Sequence, residues 1–231
     1  MRGSGSTRTG EELGRAFPGT PVVVSGARES HGVIQTVDAS PRLVVATAGA
    51  EPVADGGYRA VLLLDGGALS SRPELGAGAE ALRRWTNAAV LARTDAQVSL
   101  LGSPDPMAAQ ALVRWDHADY AHRDLLERTD LHLPPAWRTA RLDGPREAVE
   151  ALLSQGEEAG FETLGPVAAP VSGSDEHSFP LAPGGQDVRA LIRAPVERGR
   201  ELAAALRVRQ RERSARREEP VRIELDPTVL W

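Results

Sequence analysis

The chain has 231 residues, enough for one large domain or two small ones, each with its own core. It contains no cysteine and no lysine, so disulfides, thiolate chemistry, cysteine-ligated zinc, a Gly-Lys-Ser/Thr phosphate loop and Schiff-base chemistry are all excluded. All 27 basic residues are arginine, and the net charge of −5 argues against a uniform affinity for nucleic acid while leaving room for a local basic patch.

Aromatic residues make up only 4%, so the core must rest on Leu, Val and Ala. No apolar run reaches the ~18–20 residues of a membrane helix. The start, MRGSGSTRTGEELG, lacks the apolar block of a secretory signal. The expectation is a cytoplasmic protein with no membrane partner.

In chain order, GEELGRAF reads as a first helix. Short β-branched and leucine runs follow at 21–25, 42–47, 60–65 and 97–102, bounded by turn formers, the pattern of buried parallel strands. The best helix is 77–92, with Ala81, Leu82, Trp85, Ala88 and Ala89 at helical spacing. PMAAQALVRW is another, with proline in its first turn. This alternation predicts an α/β sheet with crossover helices. DHADYAHRDLLERTD leads into Pro134-Pro135, where missing donors and extended geometry break the chain. Trp137 is expected to pack over that break. Beyond it come a strand (137–143), a helix (144–160), a strand (161–165), a Pro/Gly/Ser loop (166–186), a strand (187–195), a helix (196–217) and a last strand (219–227). That order is βαββαβ, the split βαβ of ferredoxin-like folds. The expected domains are 1–133 and 134–231.

Eight arginines crowd into residues 198–217: Arg198, Arg200, Arg207, Arg209, Arg211, Arg213, Arg216 and Arg217. Leu202, Ala203 and Leu206 mark an apolar face that ends at Val208. Two readings stand open. The arginines form a solvated helix end with local Glu201 and Glu212 pairs, or they grip a polyanion through bidentate, salt-sensitive contacts. His117 and His122 are five apart, off the i, i+4 spacing of paired metal ligands, so the histidines read as structural or surface residues. Asp65 ends the strongest strand run and reads as a turn residue before DGGAL. Ser25 and Ser70 sit in ordinary turns with no triad context.

Several stretches together are similar to the C-terminal portion of the PriA, or primosomal protein, family of replication-restart helicases in its divergent actinobacterial form. They are RTGEELGRAFPGTPVVVSG, LVVATAGAEPVADGGYRAVLLLDGGALSSRPEL, EALRRWTNAAVLA, LERTDLHLPPAWRTARLDG, LGPVAAP, VRALIRAPVERGRELAAALRVRQRERSARR and VRIELDP, in family order. The resemblance implies a fold: an incomplete RecA-like second helicase lobe followed by a small α+β domain similar to a ribosomal small-subunit protein. It also implies contact with branched or single-stranded DNA, with other primosome proteins and with the acidic tail of single-stranded-DNA-binding protein. The nearest positions for that tail are Arg198 and Arg200. The DNA contacts fall to Arg207, Arg209, Arg211, Arg213, Arg216 and Arg217.

The departures from the family bear on activity. The family uses ATP, magnesium and zinc. The residues for these cofactors are missing, as are the first lobe and the eight-cysteine zinc region. The coupling loop reads ATAGAEPVADGGY, with Thr47 but no Lys-Gly. Where active members carry Q-x-x-G-R-x-G-R, this chain reads NAAVLART, and Leu91, Ala92 and Asp95 stand for Gly, Arg and Arg. Arg93 is one residue out of register, which on a helix turns a side chain by ~100°. A positioned arginine finger is worth about 10³–10⁵ in rate. The expectation is a DNA-binding primosome module without ATPase or helicase activity of its own. The alternatives are a fragment of an ATP-dependent helicase that needs a separate first lobe, or a truncated gene product with no independent role.

Overall fold

The structure is a computed structural model that describes residues 5–64, 66–169 and 187–231. It divides into two compact units, residues 1–72 with 76–117 and residues 73–75 with 118–231. The double proline lies inside the second unit.

The first unit opens with α1 (Gly5–Ala16), followed by β1 (Val22–Ser25), β2 (Thr36–Val37), β3 (Leu43–Ala46), β4 (Val53–Ala54) and β5 (Tyr58–Leu63). Then come α2 (Gly66–Ser70), α3 (Ala77–Ala89), β6 (Ala92–Leu100) and α4 (Pro106–Arg114). The α/β alternation is present, and every strand pair is parallel. The expected single crossover sheet is not what forms. Among the described residues, β1 pairs β3, β2 pairs β4 and β5 pairs β6 as separate two-stranded sheets. Strands of two and four residues offer few backbone groups to extend a ladder.

The expectation of strands buried on both faces is also corrected. Leu63 is buried, but its neighbours on the opposite side, Leu62 (63% exposed) and Leu64, stand open. A two-stranded ribbon with α3 against it covers only one face.

Two local readings change as well. The helix expected through residue 92 ends at Ala89, and residues 92–100 are strand. The stretch read as a turn after residue 65 is the short helix α2. Its glycines are required by close approach. A Cβ on Gly66 would stand 3.0 Å from the Leu101 carbonyl, and one on Gly67 would stand 2.8 Å from that of Ser103. Asp65 itself lies outside the described residues, as do His177 and loop residues 170–186.

α4 begins as its sequence predicts: the Asp105 carboxylate accepts from the Ala108 amide at 2.8 Å, and proline occupies the first turn. It ends at Trp115, whose left-handed backbone (φ 57°) closes the helix.

The second unit contains most of α5 (His117–Asp130), then β7 (Trp137–Pro145), α6 (Arg146–Glu158), β8 (Glu162–Ala168), β9 (Asp187–Pro195), α7 (Gly199–Ala215) and β10 (Arg222–Leu225). The strand order is β10-β7-β9-β8, antiparallel throughout. This is the ferredoxin-like arrangement that the βαββαβ order predicts. The period of two along β7 and β9 explains it. Ala140, Leu142, Val188, Ala190, Ile192 and Ala194 share one face, and both helices lie on it. α6 brings Ala148, Val149, Leu152 and Leu153, and α7 brings Leu202 and Leu206. Ala205, rather than Ala203, completes the α7 contribution.

Candidate nucleic-acid interface

β9 runs out at Pro195, a short turn over Val196–Arg198 reverses the chain, and α7 begins at Gly199. Glycine is needed there, because a Cβ would stand 2.5 Å from Cγ of Arg138. The apolar pair Leu202 and Leu206 then fixes the rotation of the whole helix. At ~100° per residue, Arg200, Arg207 and Arg211 fall within ~40° of one another, on the side opposite that pair. All three are exposed, and none makes an ion pair to a described residue. Arg217, just past the helix with φ 56°, shares that condition.

The other arginines of the cluster face differently. Arg209 donates to Glu212 at 3.0 Å. Arg213 continues the buried row beyond Leu206, where it pairs with Glu218 at 2.9 Å and donates to the Glu219 carbonyl at 2.7 Å. Arg216 stands 3.7 Å from Glu218. Gln210 donates to the Val221 carbonyl at 3.0 Å and ties the helix to the approach to β10. α7 and its exit thus carry two arginine sets, an outward row without ion pairs to described residues and a set paired with Glu212 and Glu218, of which only Arg213 is turned inward.

Arg198 and Arg200 part company in the same way. Arg198 holds both oxygens of Glu201 at 2.8 Å and donates to the carbonyls of Ala159 and Gly160, the C-terminal end of α6. Its guanidinium also lies 4.6 Å from the Phe161 ring centre. The hydrogen bonds from Arg198 hold the Glu201 carboxyl below the usual range. Arg200 is exposed, with no such ties.

A polar constellation that sequence patterning misses occupies the other face of the sheet. Arg141, Asp143, Arg189 and Arg193 are buried there. Asp143 and Arg189 are directly opposite in the β7–β9 register, and Arg141 is opposite Glu224 in the β7–β10 register. Asp143 accepts from Arg189 at 2.6 Å and from Arg141 at 3.0 Å. Arg141 reaches on to Glu224 at 2.6 Å and to the Val229 carbonyl at 2.7 Å. The one available signal was alternation: Arg141 and Asp143 fall two apart on a strand whose other face is apolar.

The corner at Pro134-Pro135 is held by a second network. The Trp137 ring stacks on His132, with centres 3.7 Å apart and planes 15° apart. His132 Nδ1 lies 2.7 Å from Glu162 Oε2, and Arg193 donates to the other Glu162 oxygen at 2.5 Å. Burial pushes the Glu162 carboxyl up, but the bonds from His132 and Arg193 outweigh it, and the net shift is downward. Arg128 donates to the carbonyls of Pro134 and Leu75.

In the first unit, Arg93 lies on β6 and not on a helix. It grips Asp95 through two bonds of 3.0 and 2.9 Å. On a strand one step of register moves a side chain to the opposite face, a larger change than the helical turn assumed from the sequence. Ser25 is fully buried, donates to the Ala50 carbonyl at 2.6 Å and accepts from the Ile34 amide at 3.0 Å, a structural role. Ser70 bonds the Gly66 carbonyl and the Asp105 amide. His117 bonds Thr86 Oγ1 at 2.7 Å.

Residues 129–228, which span the whole ferredoxin-like sheet, match the family model described as the primosomal protein N C-terminal domain. The C-terminal part of the chain is similar to that family. The resemblance extends beyond the domain. Over 96% of its length the chain is 40% identical to the probable replication restart protein PriA of Mycobacterium tuberculosis (strain CDC 1551 / Oshkosh) and 42% identical to that of Mycobacterium leprae (strain TN). It spans about a third of those relatives, 35% and 34% respectively. The matched residues carry the outward arginine row, the buried charge network and the proline corner alike. No helix among the described residues is long and apolar enough to cross a membrane.

Proposed function

We propose that this chain is a DNA-binding module of replication restart and that its grip on the phosphate backbone is the outward row Arg200, Arg207 and Arg211, extended by Arg217. The observation that carries the reading is the orientation of α7. The two leucines that seat the helix turn Arg200, Arg207 and Arg211 to solvent with no ion pair to a described residue, while Arg209, Arg213 and Arg216 each have a carboxylate partner. Rising ~1.5 Å per residue, the row spans about 16 Å, with Arg207 and Arg211 about 6 Å apart along the axis. Likeness to proteins named for replication restart supports the same reading. Primosome proteins and the acidic tail of single-stranded-DNA-binding protein are the protein partners proposed with it. Arg200 is the better placed of the two candidate tail contacts, because Arg198 is engaged by Glu201 and two carbonyls.

We further infer that residues 1–133 are a degenerate second helicase lobe and that the chain does not hydrolyse ATP unaided. Arg93 bonded to Asp95, and Leu91 and Ala92 where the family has Gly and Arg, support this. The test is anisotropy of a labelled fork and of a 20-nucleotide strand at about 50 mM salt, run beside an ATPase assay. Binding without turnover is expected. Absent binding, or unaided turnover, overturns the reading.

A second reading, a helicase piece that works with a first lobe from another chain, draws on the open apolar side of β5. Leu62, Leu64 and Leu101 are exposed there. ATPase activity that appears only when a chain supplying a phosphate loop is added would favour it.

A further inference from the structure

The outward row of α7 contains one residue that is neither basic nor inert. Ser214 lies three residues after Arg211 and seven after Arg207, so at ~100° per residue it falls within ~60° of both. It is exposed, and its hydroxyl makes no hydrogen bond to a described residue. It is the last residue but one of α7, where a helix frays most readily. Arg209, Arg211 and Arg213 precede it at alternate positions, and Arg216 and Arg217 follow.

We propose that Ser214 is a phosphorylation site that switches off the polyanion grip of this helix. The proposal rests on the DNA-binding reading of the same row. The enzyme it requires is a protein kinase whose substrate groove is lined with carboxylates, which the flanking arginines would occupy. In the step, Ser214 Oγ bonds to the γ-phosphorus of ATP, the bond to the bridging oxygen of ADP breaks, and the hydroxyl proton passes to the kinase's base.

The product carries a charge of about −1.5 to −2 and three acceptor oxygens. Arg211, one turn earlier, and Arg217, three residues later, have no ion pair among the described residues and are available as donors. A phosphate at a helix C-terminus opposes the helix dipole, so those guanidiniums would be drawn onto it rather than left facing solvent. Two cations of the row are then neutralised from within, and the new charge repels the phosphates of an incoming strand.

The experiment has two arms on the full chain. In the first, the catalytic subunit of an arginine-directed protein kinase and ATP are added, and the modified residue is located by mass spectrometry. Single phosphorylation at Ser214, absent in Ser214→Ala, is expected. An unmodified Ser214 overturns the proposal. In the second, the phosphoprotein, Ser214→Glu and Ser214→Ala are titrated against a labelled 20-nucleotide strand, with circular dichroism to check that α7 persists. A loss of about tenfold or more is expected for the phosphoprotein, a smaller one for Ser214→Glu and none for Ser214→Ala. A phosphoprotein that binds like wild type sinks the switch while leaving the DNA-binding reading intact. Wild-type protein that fails to bind sinks that reading, and the switch with it.

Discussion

Substituting Arg200, Arg207 and Arg211 together by glutamine removes the outward row of α7 without touching the leucines that seat it. The three side chains are exposed and without ion pairs to described residues, so the fold loses no charge pair with them. Each phosphate neutralised on a single strand contributes about 0.7 to the slope of log affinity against log salt. Three contacts contribute about 2, so wild-type affinity should fall about 20-fold further than that of the variant between 50 and 200 mM salt. Net charge alone could mimic a uniform weakening, and a matched control separates the two effects. Arg8, Arg83 and Arg123 already pair with carboxylates at 2.9, 2.7 and 2.9 Å, and their triple glutamine variant removes the same formal charge. Anisotropy of a labelled 20-nucleotide strand over a salt series reads the slopes directly. The reasoning fails if the α7 variant keeps the wild-type slope, or if the control loses as much.

Two further outcomes test the domain itself. Asp143→Asn leaves the buried Arg141 and Arg189 without the carboxylate between them, and the cost expected is about 3–5 kcal/mol. It is read as a lower urea midpoint at unchanged slope, and a loss below about 1 kcal/mol would show that the buried network is dispensable. Glu162 has a depressed carboxyl in the folded state, so its contribution is present above the usual glutamate range of about 4.3 and is lost as pH falls through the lower folded value. Wild type should therefore lose stability more steeply than Glu162→Gln as pH falls below the usual glutamate range, and parallel pH profiles would remove His132 and Arg193 as its stabilising partners.

Much of the second unit was legible in the chain because its signals are local. Alternation along 137–143 and 187–195, helical spacing at Leu202 and Leu206, and the double proline are each decided by residues within a few positions of one another. In the first unit the same signals located the strands but not their arrangement. A four-residue apolar run looks alike whether it is covered on one face or two, and Leu62 was read as buried when only Leu63 is. The sequence shows the register slip at Arg93 but not its consequence, because helical spacing continues to residue 92 while the chain turns into β6 there.

The arginine cluster shows where sequence stops and tertiary structure begins. Composition and spacing determined that this helix end could not be buried and that the core would be aliphatic. They determined the order of elements and hence the ferredoxin-like sheet. Which arginines remain available was decided only by packing. Leu202 and Leu206 set the rotation of α7, the approach to β10 brought Glu218 within reach of Arg213, and the C-terminal end of α6 captured Arg198. The buried set of Arg141, Asp143 and Arg189 likewise exists only because strand pairing places residues 46 positions apart side by side. A charge's partner is a matter of distance in space, and that distance is defined only once the sheet has closed.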